Sequence, residues 1–136
     1  MLDMAGEGRA LVKAELEELQ RLKTGCLISA ACELGCIAAG GNDQQQAQLR
    51  RYAHAIGLAF QIRDDVLDVI STDEELGKSV GSDLSNEKST FVTILGLDGC
   101  AAAIEKLTQT AIDSLEGFEH PEFHIWLARK LATRNK

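Results

Sequence analysis

The chain has 136 residues, 45% of them hydrophobic and 26% charged, and a formal net charge of −7. That length and apolar content suit one folded domain with a core and exclude a disordered chain. The acidity, with no basic stripe interleaved with aromatics, argues against nucleic-acid binding. No apolar run reaches spanning length and no charged-then-apolar leader occurs, so a cytoplasmic protein without membrane insertion is expected.

Ala, Leu, Glu, Lys and Gln are plentiful, and Pro121 is the one proline. Those are helix formers, so an all-α chain is expected. The pattern predicts a first helix from about Arg9 to Leu22, with Leu11, Val12, Leu16 and Leu19 on one stripe and Lys13–Glu17 and Glu17–Arg21 as i,i+4 pairs. Lys23-Thr24-Gly25 interrupts it, and Thr24 is placed to cap or kink the next helix. This second helix, Gly25 to Ala39, is so rich in Ala, Cys, Ile and Leu that burial is expected, and Gly40-Gly41 stops it. The third and longest helix starts at Asn42 or Asp43, with Asp43 and Gln46 in a capping-box pattern, and runs to about Ile70. Ser71 to Glu87 reads as a loop directly after a carboxylate cluster, a place where function often sits. Lys88 to Gly96 forms a fourth helix, Asp98 to Leu115 a fifth, and Pro121 opens a last one through Leu131. No linker divides the chain, so residues 1–136 are read as one unit.

Cys26, Cys32, Cys36 and Cys100 form no CxxC pair and read as reduced, buried thiols. Cys32 and Cys36, four apart, lack a nearby third zinc ligand. His120 and His124 share that spacing, but Pro121 stands where a zincin has its Glu. These two and His54 read as helix-entry and surface residues.

The informative stretch is Gln61-Ile62-Arg63-Asp64-Asp65-Val66-Leu67-Asp68. At roughly 100° per residue, Gln61, Asp64, Asp65 and Asp68 share one wedge of a helix, with Gly57 one turn earlier. Ile62, Val66, Val69 and Ile70 form an apolar face on one side, and Phe60 and Leu67 a flank on the other, which places the strip in an interior cleft. Like charges so close destabilise a helix, and near its C-terminal end the dipole disfavours them. Taken alone, such a strip is more often a solvated acidic face. A Mg²⁺ ion would relieve the repulsion, because it binds through one or two carboxylates, waters and phosphate oxygens. Lys23, Lys78 and Lys88 supply point charges for a diphosphate.

Together these segments resemble the trans-isoprenyl diphosphate synthase family, the farnesyl and geranylgeranyl diphosphate synthases. The likeness runs in order through Leu2-Asp3-Met4-Ala5-Gly6-Glu7-Gly8, Leu22-Lys23-Thr24-Gly25, Gly57 to Asp68, Leu76-Gly77-Lys78, Gly81-Ser82-Asp83 and Lys88-Ser89-Thr90-Phe91. The closing Arg134-Asn135-Lys136 resembles the end of bacterial farnesyl-type members. The resemblance implies an isoprenoid-synthase-type helical bundle, usually dimeric, in which two aspartate-rich motifs hold Mg²⁺ around an allylic diphosphate. Ionisation leaves a carbocation, which the double bond of isopentenyl diphosphate attacks. By this match Asp64 and Asp68 are direct metal ligands with Asp65 beside them, and Lys23 and Lys78 hold the diphosphate. Thr24 and Gln61 steady the cation, Lys88 lies near the phosphates, and the loop from Ser71 to Glu87 is the lid.

The family's first DDxxD motif and its paired arginines are absent, and Glu87 stands where many members have Gly. The chain is therefore expected to be the C-terminal half of the fold, a homo-oligomer, with little or no synthase activity alone. Product length is set mainly beside the missing motif; the C-terminal likeness leans to farnesyl. Two other readings stand beside the prenyltransferase. One is a terpene cyclase, which would release diphosphate without consuming isopentenyl diphosphate. The other is a non-catalytic remnant that dimerises with a complete synthase.

Overall fold

The computed structural model describes residues 12–76 and 90–135, with side chains for 12–71 and 90–135. All regular structure among them is helical. Helix α1 is Lys13–Gln20, a π-helical turn Arg21–Gly25 comes next, and α2 is Cys26–Ala38. Helix α3 is Asp43–Leu76, α4 is Phe91–Asp113 and α5 is Glu122–Thr133.

Local chemistry sets the boundaries. Arg9, where the pattern placed the first start, lies outside the described residues. Val12 is extended (φ −77°, ψ 162°), so α1 begins at Lys13, and the Val12 N–H donates to Glu15 Oε2 at 3.3 Å. Lys13 pairs with Glu17 at 3.6 Å as expected. Arg21, however, pairs with Glu18 at 2.7 Å rather than with Glu17, because Arg21 opens the π turn and leaves the 3.6-residue register. At α3, Asn42 Oδ1 accepts from Gln45 N at 2.8 Å and Gln45 Oε1 accepts from Asn42 N at 2.9 Å. That is a capping box one residue earlier than the expected Asp43–Gln46 pair. The helix then runs past Ile70 to Leu76, into the expected loop, since residues 71–76 contain no Gly or Pro.

Thr90, not Lys88, starts α4: its Oγ1 accepts from Thr93 N at 3.2 Å. Gly96 breaks α4 with φ 73° and ψ 170°, a conformation that costs a residue with a Cβ dearly. This is the division the sequence predicts between Gly96 and Asp98. Pro121 precedes α5, which continues two residues beyond Leu131.

Helix α3, about 50 Å long at 1.5 Å per residue, is the spine. It packs against α4, α2, α5 and the π turn. Its first half places Leu49, Tyr52, Ala55 and Ile56 against Cys36, Ala111, Leu115 and Ala128. Its second half places Ile62 and Val66 against Leu16, Phe91, Cys100 and Ile104. Polar ties fix the register between helices. The Tyr52 hydroxyl donates to His124 O at 2.7 Å, and burial pushes its pKa well above the usual phenol value. Gln48 Nε2 donates to Ser114 O and Glu116 O at 3.2 and 2.7 Å.

Helix α2 departs from expectation. Only Cys36 is buried in it, while Leu27 is 76%, Leu34 66% and Ile37 55% exposed. An apolar helix demands cover, and α3 covers one side alone. Cys26, too, is exposed rather than buried; Cys32 is half-buried, Cys36 and Cys100 are buried, and all four are free thiols. Burial pushes the Cys100 thiol up to about 11, with the Asp65 charge adding to it. The fold thus favours the neutral thiol. Its contribution is intact below the ordinary thiol value of 9.0 and is lost as pH rises towards about 11. Melting temperature should fall across that window, and Cys100→Ala should flatten the fall. A thiol reagent at neutral pH should modify Cys26 first, and Cys36 and Cys100 only on unfolding.

Candidate active site

The second half of α3 carries the carboxylate strip. Because Ile62 and Val66 turn into the core, the residues between them are driven to the helix's other sides. Gln61 and Asp65 are half-buried, and Asp64 and Asp68 are exposed. Ile70, placed by the pattern on the apolar face, is itself exposed.

The aspartates do not behave alike. Asp65 Oδ2 accepts a hydrogen bond from Phe91 N at 2.8 Å. A carboxylate there satisfies one of the amides that the first turn of α4 leaves unpaired and sits at the favourable end of its dipole. Asp64 pairs instead with Arg134: Nη2 lies 3.0 Å from Oδ1, and the Asp64 side chain remains 52% exposed against 16% for Arg134. The Arg134 guanidinium also lies over the Phe60 ring, 4.1 Å from its centroid. The Arg134 carbonyl accepts from Arg63 Nε at 2.9 Å. Sequence reasoning missed this arginine as part of the site. Seventy positions separate it from Asp64, and the one signal was that the chain ends in Arg-Asn-Lys.

The π turn brings the second predicted group alongside. The backbone stays helical from Gln20 to Cys26 and makes no side-chain cap bond, so Thr24 does not cap it; the interruption expected at Lys23-Thr24-Gly25 is a π turn, with one extra residue wound in. Gly25 approaches α3 at Gly57, where an added Cβ would stand 3.7 Å from Gly25 Cα and 3.4 Å from Ile28 Cδ1. Gly57 is one helical turn before Gln61. The turn bearing exposed Lys23 and half-buried Thr24 therefore lies beside the start of the strip. Lys78 and Lys88 lie outside the described residues.

The cavity seen among the described residues lies away from the strip. A cavity of about 780 Å³ runs beside the π turn, between α2 and α3, lined by Arg21, Gly25, Cys26, Glu33, Arg50 and His54 among others. None of Gln61, Asp64, Asp65 or Asp68 lines it. Among the described residues no three His, Cys, Asp or Glu side chains converge as a ready cage for a metal. The donor set still fits a hard cation that takes one or two carboxylates and fills its other positions with water and phosphate oxygen. Asp64 and Asp68, one turn apart and both solvent-accessible, meet that demand; Asp65 has one oxygen engaged by α4.

The chain is similar to known proteins over most of its length. A farnesyl diphosphate synthase of Micrococcus luteus is 48% identical over 111 residues, 81% of this chain and 38% of its own length. Geranylgeranyl pyrophosphate synthase 9 of Arabidopsis thaliana, a chloroplastic protein by its name, is 43% identical over 122 residues, 88% of this chain and 34% of its own. The apo crystal structure of an FPP/GFPP synthase from Zymomonas mobilis superposes with a TM-score of 0.78 at 30% identity, covering 96% of this chain and 42% of the other. The chain thus spans little more than a third of the two curated relatives, and the all-helical fold is part of the isoprenyl synthase fold. Residues 1–121 match the polyprenyl synthetase family, and the chain belongs to that family.

Proposed function

We propose that this chain is the part of a prenyltransferase that binds the allylic diphosphate through Mg²⁺, in an enzyme that condenses that diphosphate with isopentenyl diphosphate. The observation that carries the reading is the pairing of two surfaces. Asp64 and Asp68 lie one turn apart and open to solvent on α3, and the turn bearing Lys23 and Thr24 is held beside Gln61 by the close approach of Gly25 to Gly57.

Asp64 and Asp68 would hold Mg²⁺, with Asp65 fixing the strip against α4. The metal supplies charge neutralisation that makes diphosphate a competent leaving group. The chain's own residues do the rest. Lys23 places a positive charge on the phosphate side. Thr24 Oγ1 and Gln61 Oε1 present oxygen lone pairs that stabilise a developing carbocation. Lys78 and Lys88 belong to the same reading, from the segment that would close over the site and exclude water. A reducing compartment fits the four free thiols. We take it to be the cytoplasm, with the chloroplast named for the Arabidopsis relative as the alternative; among the described residues no helix is long and apolar enough to cross a membrane.

One observation favours a second element of the reading. The bare apolar side of α2 at Leu27, Leu34 and Ile37 asks for cover from further synthase helices, its own or a partner subunit's. A complete site would then be assembled against that cover, and the 136-residue chain alone should turn over little or no substrate. Calorimetry with Mg²⁺ and a non-hydrolysable allylic diphosphate analogue tests the half-site itself. Binding should require Mg²⁺ and vanish with a chelator. Binding that is indifferent to Mg²⁺, or no binding, refutes the reading.

A further inference from the structure

We propose that Arg134 is an internal counter-ion for the carboxylate strip, occupying Asp64 until a metal ion replaces it, so that metal entry and the docking of the segment after α5 compete. The inference rests on the reading of Asp64 as a metal ligand and adds to it how the empty site is held.

Three contacts deliver Arg134 to this position. Its residue is extended (φ −60°, ψ 148°) at the end of α5, which lets the chain leave the helix and lie along α3. Its carbonyl is tied by Arg63 Nε at 2.9 Å, and its guanidinium is spread over Phe60 at 4.1 Å. Nη2 then reaches Asp64 Oδ1 at 3.0 Å. The Arg63 tie and the Phe60 face do not involve Asp64, so the arginine is steered to the strip rather than merely attracted by it.

The same pose is poorly satisfied. Arg134 Nε is buried without an acceptor, although a guanidinium has five N–H donors to place. A buried donor left unpaired weakens whatever arrangement buries it. A single-point contact to one carboxylate oxygen also lacks the bidentate geometry that makes arginine pairs strong. Arg134 therefore neutralises Asp64 well enough to offset like-charge repulsion along the strip, and loosely enough to be displaced. When a divalent cation takes the carboxylate, it draws off the negative charge that holds the guanidinium 3.0 Å from Oδ1 and repels it, and the guanidinium moves off.

Two measurements on the 136-residue chain test this with Mg²⁺ alone as the probe. In calorimetric titration, Arg134→Met, which keeps an apolar stem over Phe60, should bind Mg²⁺ roughly fivefold more tightly than the wild type, the factor expected for removing one competing ion pair. In the wild type, the ¹⁵N resonance of Arg134 Nε should shift on the same Mg²⁺ titration; this readout needs no substitution. Should Arg134→Met fold badly, Arg63→Gln loosens the same tie from its backbone side and should also tighten Mg²⁺ binding. Equal affinities in wild type and variant, or a stationary Nε signal at saturating Mg²⁺, overturn the counter-ion while leaving the metal site standing. Absence of Mg²⁺ binding in both removes the metal site and the counter-ion together.

Discussion

Replacing Asp64 or Asp68 by alanine should cost at least about tenfold in Mg²⁺-dependent diphosphate binding while leaving the melting temperature nearly unchanged; Asp65→Ala should do the reverse. The split arises from what each carboxylate touches. Asp65 Oδ2 accepts the Phe91 N–H at 2.8 Å, and Phe91 is fully buried in the core beside Leu16 and Ile62. Removing that acceptor leaves a half-buried backbone donor unpaired where α4 begins, a loss of about 1–3 kcal/mol. Asp64 is about half exposed, with a 52% accessible side chain paired to Arg134, and pairs of that kind contribute about 0–1 kcal/mol. Asp68 is exposed on the same side, one turn on. Differential scanning calorimetry and a Mg²⁺–diphosphate titration on the three variants separate the two effects. Equal losses of binding with equal melting temperatures for all three would show a strip that acts as one ligand set. Loss of stability alone in all three would make it a structural feature.

That division also marks how far the sequence could be read. The strip itself was legible, because a 3.6-residue period is a local property and α3 is unbroken from Asp43 to Leu76. So was the interruption at Gly96, since a glycine inside an apolar run is a local signal too. The identity of each carboxylate's partner was not legible. Asp65 meets a residue 26 positions away and Asp64 one 70 positions away, and nothing in a helical period states which neighbour arrives. The burial expected for α2 failed for a related reason. Hydropathy reports that Leu27, Leu34 and Ile37 need cover; it does not report whether this chain provides it. The Arg21 pair went to Glu18 instead of Glu17 because a π turn changes the register that an i,i+4 rule assumes.

Gly57→Leu should be the most disruptive single substitution near the site, and Gly57→Ala should be harmless. The contrast is geometric. A Cβ at position 57 would stand 3.4 Å from Ile28 Cδ1 and 3.7 Å from Gly25 Cα, ordinary van der Waals separations. Gly57 lies within an α-helix, so alanine recovers about 0.5–1 kcal/mol of backbone entropy and the net change should be slight or stabilising. Leucine adds three more carbons where the backbone of the π turn already fills the space. A close-packed site resists such overpacking at about 1–3 kcal/mol, and the one movable wall is the turn itself. Pushing it outward carries Lys23 and Thr24 away from Gln61, so Gly57→Leu should weaken Mg²⁺-dependent diphosphate binding as well as lower the melting temperature. Alanine should do neither. Leucine tolerated on both counts would show that the π turn is not held against α3 in solution. The reading of Lys23 and Thr24 as partners of the carboxylate strip would then lose its geometric basis, whatever the fate of Asp64 and Asp68.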